Sequence, residues 1–450
     1  MDQSIFKAYD IRGIYPGEIN EDAVYKIARA FIRFLKAKKV VIGRDIRESS
    51  PSLFDSLKQG IIDEGAIVYD LDLATTPMLY FASGKLDVDG GIILTASHNP
   101  GQYNGLKLCR KNAVPIGENS GMLDIKEIVL ENNFSEKLAE EKIIKKDIKQ
   151  EYIDYFSSFA KLENKKFKIV IDFANAMGIL ELPIYKKLSK NIEFITLYDD
   201  FDSSFPNHEA NPLNTETLKD LQKKIRKENA DLGIAYDGDG DRVGFVDENG
   251  EIIPMDLITG LIAKIILEKK PNSKILYDLR SSMSVKEVIE ENGGVAHECR
   301  VGHALIKKQM REESAIFAGE LSGHYYFEEN FKAEAGSLPV IYLLNLMTET
   351  DKSISKLVKN IKRYYHSGEI NNTVKDKNAV ISKLKKIYSD GKISELDGIK
   401  INFWDNEKGK RWWFNVRPSN TEPVLRLNLE ADNQKLMEEK RKEILDLILK

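Results

Sequence analysis

Gly90-Gly91-Ile92-Ile93-Leu94-Thr95-Ala96-Ser97-His98-Asn99-Pro100 changes character in mid-course, from an apolar run to small, polar, turn-forming residues. Ile92, Ile93 and Leu94 read as a buried strand. Asn99-Pro100-Gly101 reads as a turn, since proline donates no backbone hydrogen bond and asparagine and glycine tolerate turn geometry. Ser97 is thereby placed at the carboxyl end of a strand, where open α/β sheets bind ligands.

Outward from this stretch the chain alternates. A helix is expected from Glu21 to Leu35, a strand over 40–45, a helix over 51–63 and a strand over 66–71. Strands alternating with helices argue for a parallel sheet. The layout recurs twice. Lys168-Ile169-Val170-Ile171-Asp172 precedes a strand over 230–236 that opens into Asp237-Gly238-Asp239-Gly240-Asp241-Arg242. Lys274-Ile275-Leu276-Tyr277-Asp278 precedes Ala315-Ile316-Phe317-Ala318, which opens into Gly319-Glu320-Leu321-Ser322-Gly323-His324. After Tyr365 the period changes: strands over 398–405, 411–416 and 424–431 follow quickly, closed by a helix over 434–449. The fold class is therefore α/β, with three similar α/β mixed-sheet domains and a C-terminal α+β domain. The expected limits are 1–148, 149–252, 253–365 and 366–450, placed where charge replaces pattern, as in the Lys- and Glu-rich stretch 136–149 and near Pro254.

A chain of 450 residues is too long for one core. Its 42% hydrophobic and 31% charged residues are those of an ordinary globular protein. A formal charge of −4, with no long block of either sign, points to a small-molecule partner and away from nucleic acid. No run reaches about 18 apolar residues without a charge, so no membrane span is expected. Cys109 and Cys299 lack metal-site spacing and read as buried or idle thiols in a reducing, cytoplasmic setting.

Asp237, Asp239 and Asp241, separated by glycines that permit a tight bend, can turn three carboxylates toward one point. Such a cluster repels itself without a cation, and oxygen-only ligands favour Mg²⁺ or Ca²⁺. An EF-hand count that starts at Asp237 and ends at Glu248 fails where Arg242 replaces the required glycine. Mg²⁺ is the expected metal. Ser97 has no Gly-x-Ser-x-Gly elbow around it, and His98, as its immediate neighbour, is expected to diverge from it, so the local motif does not suit acyl transfer. Arg417-Pro418-Ser419-Asn420-Thr421-Glu422-Pro423 combines one fork-shaped cation with neutral donors, the inventory of a phosphate cradle. Glu320, Ser322 and His324 alternate in a way that suits sugar hydroxyls and proton transfer. Arg12, Arg44 and Lys107 add cations around the first unit, and His303 and Arg280 are further candidates. His208, His297 and His366 read as surface or structural.

Taken together, the motifs at 95–100, 237–242, 319–324 and 417–423 resemble the α-D-phosphohexomutase family, in family order, over essentially the full chain. The resemblance implies four domains around a central cleft: a phosphoserine domain, a metal-binding domain, a sugar-binding domain and a phosphate-binding domain. It implies that Ser97 carries the phosphoryl group, with Mg²⁺ held by that phosphate and by Asp237, Asp239 and Asp241. Glu320 and Ser322 are implied to hold the sugar's O3 and O4, and Arg417, Ser419, Asn420 and Thr421 the substrate's phosphate. Tyr9, Arg12, Lys107, Arg242, Arg280, His303 and His324 fall where members of the family line the cleft.

The activity so implied interconverts hexose 1-phosphate and hexose 6-phosphate, of mannose or glucose, through a hexose 1,6-bisphosphate that also serves as activator. His324 or Lys107 is the candidate general acid or base. Asn420, Ser322 and His324 resemble the phosphomannomutase/phosphoglucomutase branch. The rival readings are a phosphoglucosamine mutase and a catalytically silent sugar-phosphate or Ca²⁺-binding protein. Glu334-Ala335-Gly336 departs from the family's usual Asp-Asp-Gly and leaves contacts there in question. A monomer or weak homo-oligomer is expected.

Overall fold

The computed structural model describes residues 2–134, 142–405, 411–418 and 424–449. Its strands form four sheets. In the first, Gly90–Leu94 runs parallel to Lys39–Arg44, which runs parallel to Ile67–Leu73. Ile143–Lys145 extends this edge, so the charged stretch expected to be a plain connector itself adds a strand. On the other side Tyr103–Arg110 pairs antiparallel with both Gly90–Leu94 and Ile11–Ile14.

The second and third sheets repeat this centre. Leu232–Tyr236 is parallel to Phe167–Asp172 and antiparallel to Val243–Asp247. Phe317–Gly319 is parallel to Lys274–Asp278 and antiparallel to Tyr325–Phe327. Alternation with helices argues for parallel pairing, and antiparallel returns make the sheets mixed, as the expected fold class has it. The sheets are mixed because each candidate loop is the short connection between a parallel strand and an antiparallel return, and a short loop cannot make a crossover. Three loops are thus held at the carboxyl ends of central strands by the same device.

The fourth sheet is antiparallel throughout, with Val424–Ala431 paired to Trp412–Pro418 and that strand to Ile399–Asn402. It has its own core, which includes Leu384, Phe403, Trp412, Phe414, Leu427 and Ile444. Another cluster runs without a break through parts of the first three units, from Leu79 and Phe81 through Tyr152, Phe156 and Tyr236 to Leu257, Ile258 and Leu338. Helix Thr76–Lys85 is central to that cluster, with residues buried on every side of it. A helix apolar all round packs on several neighbours at once. The first three units are therefore locked together, which fixes their loops relative to one another.

The first long helix begins and ends at Glu21 and Leu35, as its pattern predicts. Asn20 caps it by accepting from the Ala23 amide, and Lys36 closes it in the left-handed conformation. Cys109 and Cys299 are both buried and free. No helix among the described residues is long and apolar enough to cross a membrane.

Candidate active site

Ser97 is buried three residues beyond its strand, with its backbone in the left-handed region at φ 52°. Its amide donates to Thr95 Oγ1 at 3.0 Å, and its hydroxyl donates to Asp237 Oδ2 at 2.8 Å. Two loops from different sheets therefore meet at this oxygen. Glycine at 238 is what permits the approach: a Cβ built there lies 2.2 Å from the Ser97 carbonyl oxygen. His98 does not diverge as neighbouring side chains usually do. The left-handed turn at Ser97 brings its Nδ1 to 3.3 Å from the Ser97 hydroxyl. Arg242, burial and Arg12 hold His98 well below the usual imidazole range, hence neutral.

Asp237, Asp239 and Asp241 are all buried, with carboxylate oxygens within 4.8 Å of one another. Burial, reinforced by Asp239 and Asp241, pushes the Asp237 carboxyl upward. Lys107, on the return strand of the first sheet, sets its ammonium between Asp239 Oδ2 at 2.6 Å and Asp241 Oδ2 at 2.5 Å. Burial opposes its charge, but Asp239 and Asp241 outweigh that and raise its pKa. Thr76, at the start of the buried helix, donates to Asp239 Oδ2 at 2.6 Å. Asp239 Oδ1 is buried with no hydrogen-bond partner, an expensive state for a carboxylate oxygen. Three converging carboxylates with such an oxygen fit a hard divalent cation. Glu248, the twelfth position of the EF-hand count, instead accepts from the Ser355 amide at 3.2 Å and plays no part in the cluster.

The sugar-loop candidates adjoin the aspartates. His324 Nε2 lies 3.2 Å from Asp241 Oδ1, and its Nδ1 lies 3.0 Å from Glu320 Oε2 and 2.9 Å from Ser322 Oγ. Burial disfavours charging His324, but Asp241 and Glu320 overcome it and raise its pKa to about 9. The Arg242 Nε lies 3.3 Å from His324 Nε2, and the Val243 amide donates to the Gly323 carbonyl, tying the second loop to the third. Arg12 donates to Asn99 Oδ1 at 2.6 Å, beside Ser97. Tyr9 donates to the Val301 carbonyl and meets the His303 ring edge-on at 6.0 Å.

Arg280 is buried, bonds Asp278, and lies 3.7 Å from Glu320 Oε1. Its other arm reaches Glu369 Oε2 at 3.1 Å, and Arg417 reaches the same oxygen at 3.3 Å. Arg417 is thereby connected through Glu369, Arg280, Glu320 and His324 to the aspartate cluster, so the fourth unit faces the same cleft. Ser419, Asn420 and Thr421 lie outside the described residues. Arg44 belongs elsewhere: it pairs with Asp72 at 2.7 Å. The histidines set aside have structural partners: Asp172 for His208, Glu313 for His297 and the Arg280 carbonyl for His366.

Thr76 and Glu369 escape a reading of the sequence, because neither lies in a motif and each acquires its partner from another unit. The departure at Glu334 has a structural answer. Glu334 is fully buried and accepts from the buried ammonium of Lys307 at 3.0 and 3.1 Å, while Lys307 also donates to Tyr80 OH at 3.0 Å. His303 Nδ1 lies 3.7 Å from Glu334 Oε1.

A cleft in which three α/β units each present one polar loop around a carboxylate-flanked serine, with Arg417 of the C-terminal unit linked to it through Glu369 and Arg280, defines a class of phosphoryl-transfer protein. Models of the phosphoglucomutase/phosphomannomutase family match the chain in four consecutive parts. These are alpha/beta/alpha domains I, II and III over residues 3–136, 150–250 and 254–364, and the C-terminal domain over 369–447. The chain is 45% identical to a phosphomannomutase of Methanocaldococcus jannaschii, over 100% of this chain and 98% of that one. It is 37% identical to a phosphomannomutase of Escherichia coli, over 98% of each. A phosphoglucomutase/phosphomannomutase family protein of Burkholderia thailandensis superposes with a TM-score of 0.89 at 30% identity, covering 99% of this chain and 97% of that chain. The chain belongs to the α-D-phosphohexomutase family. It is an isomerase of the phosphoryl-transferring mutase kind.

Proposed function

We propose that this protein interconverts the 1- and 6-phosphates of mannose or glucose through phosphorylated Ser97 and a hexose 1,6-bisphosphate, which also activates it. The observation that carries the reading is the Ser97 hydroxyl, 2.8 Å from one of three clustered buried carboxylates. Asp237, Asp239 and Asp241, with the Ser97 phosphate, would hold Mg²⁺. Such an ion supplies charge neutralisation on the transferring group. Arg12, Arg242 and Lys107 add fixed positive charge beside it, suited to the equatorial phosphoryl oxygens.

In the first half-reaction the sugar's free hydroxyl oxygen bonds to phosphorus and the bond from phosphorus to Ser97 Oγ breaks. His324 or Lys107, each held in its charged form by the aspartates beside it, gives a proton to the departing Ser97 oxygen and recovers one from the sugar hydroxyl, so that the protons balance. After the bisphosphate turns over, its other phosphoryl group returns to Ser97 by the reverse chemistry. Glu320 and Ser322 hold O3 and O4, which exchange places on turning. Arg417, Ser419, Asn420 and Thr421 bind the phosphate that does not react, and Tyr9, Arg280 and His303 line the cavity between.

The four domains that carry these loops span 1–148, 149–252, 253–365 and 366–450. The protein works as a monomer or weak homo-oligomer in the cytoplasm. A coupled assay with mannose 1-phosphate, glucose 1-phosphate and glucosamine 1-phosphate, with Mg²⁺ and catalytic glucose 1,6-bisphosphate, tests the reading. Turnover of the first two supports it. Turnover of glucosamine 1-phosphate alone, or of none, overturns it.

A further inference from the structure

Arg47 stands in Gly43-Arg44-Asp45-Ile46-Arg47-Glu48, where a lone arginine ordinarily points to solvent. Instead it is 1% exposed. A guanidinium has five N–H donors, and here each has its own acceptor. Nε donates to Asp45 Oδ2 at 3.0 Å. One terminal nitrogen donates to the carbonyls of Pro100 at 2.7 Å and Tyr103 at 3.0 Å, the other to those of Ser97 at 2.8 Å and Asn99 at 2.6 Å. Four carbonyls of the Ser97 loop thus converge on one side chain. Asp45 is held in turn, accepting from the Arg47 amide and from Ser50 Oγ.

We propose that Arg47 is the positioning residue that fixes the Ser97 loop for phosphoryl transfer, an inference that rests on the reading of Ser97 as the phosphoryl carrier. Ser97 adopts φ 52°, which residues with a Cβ avoid, so it needs external restraint. The restraint acts at its own carbonyl, gripped by Arg47 on one side and backed by Gly238 on the other. The Ser97 oxygen alternates between a hydroxyl and a phosphate ester, so the charge beside it changes in every cycle. A loop pinned through its backbone keeps its aim through both states. Lysine, a point charge with three donors, cannot reproduce a planar fork serving five acceptors. The sequence conceals this role because the partners lie 50–56 positions away.

The test uses the full-length Arg47→Lys and Arg47→Gln proteins. The expected result is a kcat about 100-fold lower, with KM for glucose 1-phosphate within about threefold, because the loop at 417–421 is untouched. Phosphorylation of Ser97 by glucose 1,6-bisphosphate should slow in parallel. Amide hydrogen exchange should rise across 97–103 and stay unchanged across 237–243 and 320–324. A folded variant with kcat within about threefold of wild type, or unchanged exchange at 97–103, overturns the inference. If Arg47→Gln does not fold, Arg47→Lys, which keeps the charge beside Asp45, carries the test. A wild-type protein without mutase turnover would refute the proposed function, and the exchange measurement would still decide whether Arg47 pins the loop.

Discussion

Glu181 is a fully buried carboxyl beneath the metal-loop candidate, hydrogen-bonded by Thr75 Oγ1 and Tyr152 OH, each at 3.0 Å. No ion pair among the described residues compensates its charge, and burial lifts its pKa from 4.5 to about 7. The folded state therefore holds a proton that the unfolded chain releases at about pH 4.5. This contribution to stability is fully present below that pH and is lost as pH rises through about 7. At about 1.4 kcal/mol per pH unit, the loss amounts to about 3 kcal/mol. Glu181→Gln removes the titration while keeping the shape. Its stability relative to wild type should therefore rise by about 3 kcal/mol between pH 4.5 and 7 and stay level above. If the 450-residue chain unfolds as one unit, that is roughly 3 °C in the difference between the two melting temperatures, and more if one unit melts alone. Scanning both proteins at several pH values reads this directly, since all other titrations cancel. Parallel curves from pH 4.5 to 8 would refute the reasoning.

Removal of divalent cations by chelation should abolish turnover, with Mg²⁺ restoring it, and Asp239→Asn should raise the Mg²⁺ concentration needed by about tenfold or more; activity indifferent to chelator would contradict this. Gly238→Ala places a Cβ 2.2 Å from the Ser97 carbonyl, so the two loops must part, and kcat should fall by at least about tenfold in a folded protein. Steady-state kinetics beside circular dichroism would show it. Glu369 is held to about 2: burial works against its charge, but Arg280, Arg417 and Arg426 prevail. Its contribution to stability is present above the ordinary 4.5 and fades as pH falls toward 2. Glu369→Gln should therefore destabilise the protein at pH 7 and progressively less on acidification, a convergence that melting curves would reveal or refute.

Much of this architecture was legible in local chemistry. Asn20 and the apolar face behind it mark the Glu21–Leu35 helix from within its own residues. The three loops announce themselves because glycines and acids interrupt apolar strands. Helix Thr76–Lys85 was invisible as an amphipathic pattern, since burial on all sides leaves no polar face to set a period. The mixed character of the sheets was expected, but the return strand Tyr103–Arg110 was not, because it carries the buried charge of Lys107 in its middle and reads as broken.

At the site, residues with company in sequence were found, and residues whose company is spatial were not. Asp237, Asp239 and Asp241 share a loop, so their convergence can be read from spacing. Glu369, Thr76 and Arg47 depend on partners brought from other strands and units. His98 misled in the opposite way: a rule about neighbours pointing apart fails once the intervening backbone turns left-handed.

The most direct test is the mass of the peptide that contains Ser97, measured after the purified protein meets glucose 1,6-bisphosphate and Mg²⁺. The account predicts a gain of one phosphate on Ser97, exchanged into hexose phosphate during turnover and missing, together with turnover, in Ser97→Ala. A protein that interconverts hexose phosphates while Ser97 stays unmodified, or a Ser97→Ala variant that turns over at the wild-type rate, would contradict it.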